Sequence, residues 1–552
     1  MTETASSAAS SAASAPRNLA APAPAATDRA QILQALAAAG RFDLLVIGGG
    51  ATGLGVALDA AARGLSVALL EAHDFAKGTS SRATKLVHGG VRYLAQGNIA
   101  LVREALQERA ILLRNAPHLA RPLPFVMPSY RLWETPFYGA GLRVYDMLAA
   151  GQGLGATQFL SRARVQALLG NVNPQQLRGG VQYWDGQFDD ARLALALART
   201  AALHGALLLN YCRVTGLLKD GAGRVCGAQA QDEETGAQLR IEAGCVINAT
   251  GVWVDAVRSL DETQNGQAAQ PMVSPSQGTH VVVERRFWPG EHALLVPKTR
   301  DGRVLFAVPW LGKVILGTTD SARPDTPLEP RPLQQEVGFI LDEARRYLAQ
   351  APGPGDVLSM WAGLRPLVKP LGDAGGTKSI SREHTVHVAG SGLVTVTGGK
   401  WTTYRAMAED VLRHCQLAQL LPTKLPPSAT RQLPLVGHRG QAQAAPAAGL
   451  GEVQGLAAYG DEAAWVQALP GADAQLAPQS GLSEAMVRFA ARYEYARTVE
   501  DVLARRNRLL FLHASAAQQA SARVAQILSE ELGQPVSPAP FEPLCQQYQG
   551  LA

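Results

Sequence analysis

The stretch 42–71 constrains this chain more than any other. Residues 42–47, Phe-Asp-Leu-Leu-Val-Ile, read as a short apolar strand. Gly48-Gly49-Gly50-Ala51-Thr52-Gly53 follows, a helical pattern runs over 52–63, and a second strand at 66–70 ends at Glu71. A strand, turn, helix and strand of this length open a doubly wound α/β sheet. Gly48, Gly50 and Gly53 form GxGxxG. The first glycine permits the turn and the second lets a pyrophosphate approach the backbone. The third lets the helix pack on the strand, aiming its N-terminus at the phosphates. Glu71 stands 23 residues after Gly48, where a carboxylate accepts both ribose hydroxyls. The unit predicts a dinucleotide cradle.

Later pieces suit a flavin dinucleotide, and no second GxGxxG unit appears. Thr79, Ser80 and Ser81, then Lys85 and His88-Gly89-Gly90, offer hydroxyls and backbone N–H groups close to the first unit. Thr250-Gly251 ends a strand that returns to the cofactor. Gly398-Gly399-Lys400 joins a strand to a helix start, and a helix N-terminus beside a flavin favours negative charge on the reduced ring.

The 552 residues allow about three or four domains. The fold class expected is α/β: a doubly wound FAD-binding domain, an inserted β-rich substrate domain and a C-terminal all-α domain. The FAD-binding domain takes 41–122, 186–260 and 355–420. The substrate domain takes 123–185 and 261–354. A linker and helices fill 421–552, with helices at 483–496 and 498–512. Residues 1–40 read as a disordered tail, rich in Ala, Ser and Pro to about residue 26.

Composition removes several function classes. Hydrophobic residues at 47% and charged residues at 18% exclude global disorder. A net charge of +5 lacks the dense basic face of a nucleic-acid binder. The five cysteines, at 212, 226, 245, 415 and 545, include no CxxC, so no zinc site or disulfide framework is expected, and a reduced compartment fits best. His384 and His387 sit three apart on an expected strand, hence on opposite faces, and make no metal pair. No run approaches 18 uncharged apolar residues; the longest candidate, 193–209, carries Arg199 and His204.

These stretches resemble the FAD-dependent glycerol-3-phosphate dehydrogenase family, of the aerobic, quinone-linked type. The resemblance rests on the first unit with HGGVRYL (88–94), QFDDARLALA (187–196), VINATGVWVD (246–255) and GTHVVV (278–283). It continues through VPWLGKVILGTTD (308–320), WAGLRPL (361–367) and TGGKWTTYR (397–405), and RTVEDVLARRNRLLFL (497–512) resembles the family's helical cap. The family implies FAD, oxidation of glycerol 3-phosphate to dihydroxyacetone phosphate, and electron delivery to membrane quinone. It also implies peripheral contact with the cytoplasmic face of the inner membrane, with homodimerisation left open. No DxDxDG loop appears near the C-terminus, which disfavours the calcium-regulated mitochondrial form.

The residue chemistry agrees with that substrate. A phosphate needs cations, and Arg92, Arg365 and Lys400 all lie beside these motifs, with Tyr93 as a hydroxyl donor. The plainer reading pairs the arginines with core carboxylates. His280 and His88 are the candidate bases, His280 favoured and His88 a polar support. Trp133, Phe137, Tyr138, Leu142 and Val144, with Arg131 and Arg143, form either an interfacial segment or packing under the substrate domain. Rival readings are an oxidase that passes electrons to oxygen and a non-catalytic flavoprotein.

Overall fold

The computed structural model describes residues 23–94, 97–262, 270–369, 384–438 and 449–550. The first unit forms as expected. Phe42–Ile47 lies at the centre of a sheet ordered His384–Val388, Val394–Gly398, Gln238–Asn248, Phe42–Ile47, Val67–Leu70, Leu207–Leu209. All neighbours on this path run parallel except the outermost pair, His384–Val388 with Val394–Gly398. Parallel strands must be covered on both faces. Helices Ala51–Ala62, Asp190–Leu203 and Tyr404–Leu417 bury one face through Leu44, Val46, Leu58, Leu195 and Met407. The hairpin Cys212–Lys219 with Val225–Asp232 helps to bury the other, through Leu45, Leu70, Ala228 and Ile241.

A second, ten-stranded sheet joins Val273–Glu284, Lys313–Gly317, Leu305–Trp310, Ala293–Val296, Ala120–Ser129 and Gly179–Phe188 in that order. Its far face is closed by helix Gln334–Tyr347, through Val337, Ile340 and Leu341. Ser359–Val368, assigned from sequence to the FAD-binding part, pairs along Val273–Glu284 instead, from Val273 opposite Val368 to Val282 opposite Ser359. The expected boundaries at 122 and 185 fall inside Ala120–Ser129 and Gly179–Phe188, which pair with each other. An apolar pattern announces a strand but does not name its partner.

Two further expectations change. Within the expected tail, Arg29–Ala38 is a helix; residues 1–22 lie outside the described residues. Asp28 caps it by accepting from the Gln31 N–H, and Arg29 donates to the Asn210 carbonyl at 2.7 Å and pairs with Asp232. The segment 498–512 is not one helix. A wide turn over Asp501–Arg506 ends with the Asn507 N–H on the Val502 carbonyl, and Leu509–Leu512 begins a new turn. An α-helix would splay Arg505 and Arg506 by about 100°. Here both guanidinium groups meet Asp74, and Arg505 also donates to Asp501 at 2.8 Å. The C-terminal helices Glu484–Tyr493 and Ala514–Leu532 share a core with the second sheet, Phe489, Phe511 and Ile527 alongside Trp310 and Trp361.

Asp74 is fully buried. Burial alone would raise its carboxyl, but Arg506 and Arg505 outweigh it and hold the group below its ordinary value. The stabilisation is therefore complete above the ordinary aspartate value of 3.8 and is lost as pH falls through the lower folded value. Asp74→Ala leaves the buried Arg506 without its carboxylate and takes one of three from Arg505, a loss of about 3–5 kcal/mol. Limited proteolysis is expected to cut 497–512 in this variant under conditions that spare the wild type; equal resistance would refute the role of the cluster.

Candidate active site

The glycine turn is shaped by close contact. Gly48 has φ +108°, and a Cβ there would lie 2.8 Å from the Ala249 carbonyl oxygen. A Cβ on Gly53 would come within 2.0 Å of the Gly48 carbonyl oxygen, so helix Ala51–Ala62 rests directly on the turn. Its cap, Gly50, offers no side-chain acceptor, and the Ala51 N–H donates to Ser80 Oγ at 2.9 Å. Glu71 accepts from the Gly49 N–H at 2.6 Å and the His73 N–H at 2.8 Å, one bond to each oxygen. Each oxygen keeps a lone pair. Burial raises the Glu71 carboxyl against the pull of those two N–H groups.

These residues open onto a cavity of about 470 Å³, within the size range of small-molecule sites. Of the residues expected to hold the cofactor, it brings together Gly48, Gly50, Glu71, Thr79, Ser80, Thr250, Gly251, Gly398, Gly399 and Lys400. Gly251, Gly398 and Gly399 have positive φ, and Thr397 Oγ1 donates to the Gly251 carbonyl at 3.1 Å, tying the two returning turns together. Sequence reasoning missed His73, Lys77, Arg213, Trp253 and Trp401 on the same wall. His73 and Lys77 follow Glu71 directly, where a carboxylate at a strand end signals the rim. Burial, then Arg213 and Lys77, push His73 down to about 4. Arg213 carries no local signal, because the fold brings it in from a distant hairpin.

Ser81, Lys85, His88 and Gly89 do not line this cavity. Lys85 is fully buried, bonds Asp190 at 2.7 Å and the Ser81 carbonyl at 2.7 Å, and sits 5.2–5.5 Å from the rings of Phe511, Trp310 and Trp361. Burial and the Arg508 guanidinium push it down to about 7 against the pull of Asp190. It braces the segment and does not reach the cofactor wall. The Ser81 carbonyl is occupied by Lys85 and by Arg508 at 2.6 Å. The Gly89 N–H donates to Tyr145 Oη at 2.8 Å, and Tyr145 donates to Asp185 at 2.8 Å. A Cβ on Gly89 would meet that phenol at 2.5 Å, so this glycine makes room for a clamp on the turn. His88 is half-buried, its N–H on Thr402 Oγ1 at 3.2 Å.

Of the expected cations, Lys400 lines the cavity, and Arg365 directly precedes Pro366 on its wall. Lys400 Nζ lies 3.8 Å from the centre of the Tyr93 ring. Arg92 lies in the helical turn Val91–Leu94, and its side chain falls outside the description. Arg365 pairs with Ser276 across the second sheet, and His280 with Trp361, so Arg365, Gly278 and His280 share one face. Arg365 lies flat over Gly278, where a Cβ would come within 2.2 Å of its Nη2. Nη2 donates to Thr318 Oγ1 at 3.1 Å and the Thr319 carbonyl at 3.0 Å, and Nη1 to Asp320 at 3.3 Å. A carboxylate partner therefore exists, but Arg365 and Asp320 each stay about a quarter exposed. His280 is buried, with Nε2 3.0 Å from Thr84 Oγ1 and its ring stacked on Trp361 at 5.2 Å. Burial, then the Lys85 and Arg365 cations, hold it well below the usual imidazole range and therefore neutral. The site thus sets cations and a neutral imidazole beside a dinucleotide cradle.

The family described as FAD dependent oxidoreductase matches residues 43–405, and that described as C-terminal domain of alpha-glycerophosphate oxidase matches 428–536. The mitochondrial glycerol-3-phosphate dehydrogenase of Macaca fascicularis is 42% identical over 524 residues, covering 89% of this chain and 70% of that protein. The crystal structure of glycerol-3-phosphate dehydrogenase from Bacillus halodurans, complexed with FAD, superposes with a TM-score of 0.74 at 27% identity, covering 95% of this chain and 98% of the other. L-alpha-glycerophosphate oxidase from Mycoplasma pneumoniae, at 19% identity, 71% and 97% coverage and a TM-score of 0.55, shares the fold.

Glu71→Ala removes the expected ribose acceptor and the anchor of the Gly49 N–H. It is expected to weaken dinucleotide binding by about 1.5–3 kcal/mol, roughly 10- to 150-fold. Cofactor absorbance retained after gel filtration reads this directly; undiminished retention would remove Glu71 from the ribose.

Proposed function

The chain belongs to the FAD-dependent oxidoreductases, among the glycerol-3-phosphate dehydrogenases, and from that premise we propose how its own residues act on glycerol 3-phosphate and where its electrons go. The glycine turn, Glu71 and the Thr250 and Gly398 turns would hold FAD, which would supply the hydride-accepting chemistry there. The observation that carries the reading is the shared face of Arg365 and His280, a cation and a neutral base on one wall. Arg365 and Lys400 hold the substrate phosphate, with Arg92 and Tyr93 beside them. His280 accepts the proton of the secondary hydroxyl as the hydride leaves the same carbon, yielding dihydroxyacetone phosphate. Nε2 lies 3.0 Å from Thr84 Oγ1, and the buried Nδ1 has no hydrogen-bond partner among the described residues, so the imidazole is held in place by Thr84 with one nitrogen unspent. His88 supports the pocket.

The electrons then pass to membrane quinone, with the enzyme seated peripherally on the cytoplasmic face of the inner membrane. Helix Glu134–Leu148 supports this part of the reading. Its inner side buries Leu142 and Tyr145, while Trp133, Phe137, Val144 and Met147 form an exposed apolar stripe with Leu132 beside it. Arg131 and Arg143 are exposed there too, as suits an anionic interface. Among the described residues no helix is long and apolar enough to cross a membrane.

Anaerobic mixing with glycerol 3-phosphate is expected to bleach the flavin. No bleaching would leave a non-catalytic flavoprotein, and rapid peroxide formation in air without quinone would favour the oxidase reading. His280→Asn, with full FAD content, is expected to slow reduction by about 10²–10⁴-fold. A base works unprotonated, and His280 is held below 6.5, so the wild-type acid limb lies below pH 6.5 and activity is lost as pH falls through it. An acid limb above 6.5, or a near wild-type rate in the variant, rules His280 out as the base.

The docking claim has its own test. Burying a large apolar side chain contributes about 1.5–3 kcal/mol, so Trp133→Glu with Phe137→Glu is expected to cut co-sedimentation with anionic vesicles more than about tenfold. Flavin reduction by glycerol 3-phosphate in solution should survive. Unchanged vesicle binding would place the membrane contact elsewhere.

A further inference from the structure

The turn on which Arg365 is seated is tied to its neighbouring strand by backbone pairing of 321–322 with 276–277 and by a buried carboxylate on the far side of the strands. Glu336 lies in the first turn of helix Gln334–Tyr347 and is 3% exposed. One oxygen accepts from Thr319 Oγ1 at 2.8 Å and Ser321 Oγ at 2.7 Å. The other accepts from Thr279 Oγ1 at 2.7 Å, Gln277 Nε2 at 2.8 Å and the Leu333 N–H at 3.2 Å. A single carboxylate therefore ties the Val273–Glu284 strand to the 319–321 turn. The Thr279 N–H adds a direct bond to Thr319 Oγ1 at 2.9 Å. Burial would raise the Glu336 carboxyl, but the side-chain donors hold it below its usual range.

That turn is the seat of Arg365. All three Arg365 bonds given above end on residues 318–320, and Ser276 donates to Asp320 from the strand side. We propose that Glu336 is a positioning residue for substrate recognition, fixing the 318–320 turn so that the Arg365 guanidinium lies where the phosphate of glycerol 3-phosphate arrives. The proposal rests on the reading of Arg365 as a phosphate ligand. Glu336 touches neither the cofactor cavity nor Arg365 itself.

Glu336→Gln is the informative change. The hydroxyls of Thr279, Thr319 and Ser321 can reverse their bonds to suit an amide. Gln277 cannot, because Arg323 donates to its Oε1 at 2.9 Å and fixes its amide group toward Glu336, and the Leu333 N–H is an obligate donor. An amide at 336 therefore keeps its oxygen toward Gln277 and Leu333 and turns its NH2 to Thr319 and Ser321, so the variant keeps the shape and replaces charge-assisted bonds with weaker neutral ones.

The test is a double-mutant cycle on the FAD-loaded enzyme, with Glu336→Gln, Arg365→Ala and the pair, reading KM and kcat for glycerol 3-phosphate. Glu336→Gln is expected to raise KM about tenfold while kcat changes less than about threefold, a loss of binding shared by ground and transition states. Arg365→Ala raises KM further, and the double variant matches Arg365→Ala alone, because a positioning residue has nothing left to position. If the two effects multiply, or Glu336→Gln lowers kcat as much as it raises KM, the proposal falls while the reading of Arg365 stands. An unchanged KM in Arg365→Ala overturns that reading and this proposal with it. Should Glu336→Gln fail to load FAD, Thr319→Val cuts the same tie from the other side and enters the same cycle with the same outcomes.

Discussion

Lys85 and Asp190 form an ion pair from which water is excluded, and the 79–93 stretch of the site is built on it. Lys85 holds the Ser81 carbonyl, Asp190 takes the Ala83 N–H at 3.0 Å, and Arg508 of the C-terminal part reaches both Asp190 and Ser81. Such pairs do little for stability against an apolar substitute, yet removing one partner leaves a buried charge. What this one secures is geometry. The segment it pins carries Thr79 and Ser80 onto the cofactor wall, Thr84 onto His280, and continues to the Gly89 turn and Tyr93. The cofactor wall at Thr79 and Ser80, the Thr84 contact to His280 and the Gly89 turn thus hang on one stretch of chain and one buried pair.

The C-terminal helices belong to the same frame. Glu500 bonds Lys77 at 2.6 Å, and Lys77 stands on the cavity wall, while Arg505 and Arg506 hold Asp74 in the loop just before it. The loop that follows the Glu71 strand is thereby shaped from the far end of the chain. The cap is one of the walls against which the nucleotide fold is built.

How much of this was legible follows from distance along the chain. The 42–71 unit is self-contained: strand, turn, helix and carboxylate each report on the next, so its glycines and Glu71 could be placed. Thr250 and Gly398 were found because a strand ending in glycine beside a sheet core has few other uses. Lys85 was misread as a cofactor ligand because its true partner, Asp190, lies 105 residues on. Arg505 and Arg506 pair with Asp74 across more than 430 residues, and the broken helix they cause could not be seen in the 498–512 pattern. The sequence puts 355–420 in the FAD-binding part, yet Ser359–Val368 pairs in the second sheet, since pairing is decided by topology. Glu336 escaped notice for a related reason. Its donors are ordinary threonines, a serine and a glutamine, and only the fold makes them converge.

Gly278 teaches a different lesson about reading such chains. Its backbone is not left-handed, so nothing in its own conformation demands glycine; the requirement comes from the guanidinium laid across it. The residue is the imprint of a neighbour, a side chain omitted so that another can lie flat. A side chain at this position would compete for the space, and the guanidinium would have to move off the strand to make room. On the reading of Arg365 as the phosphate ligand, the smallness of one strand residue is part of what admits an anionic substrate.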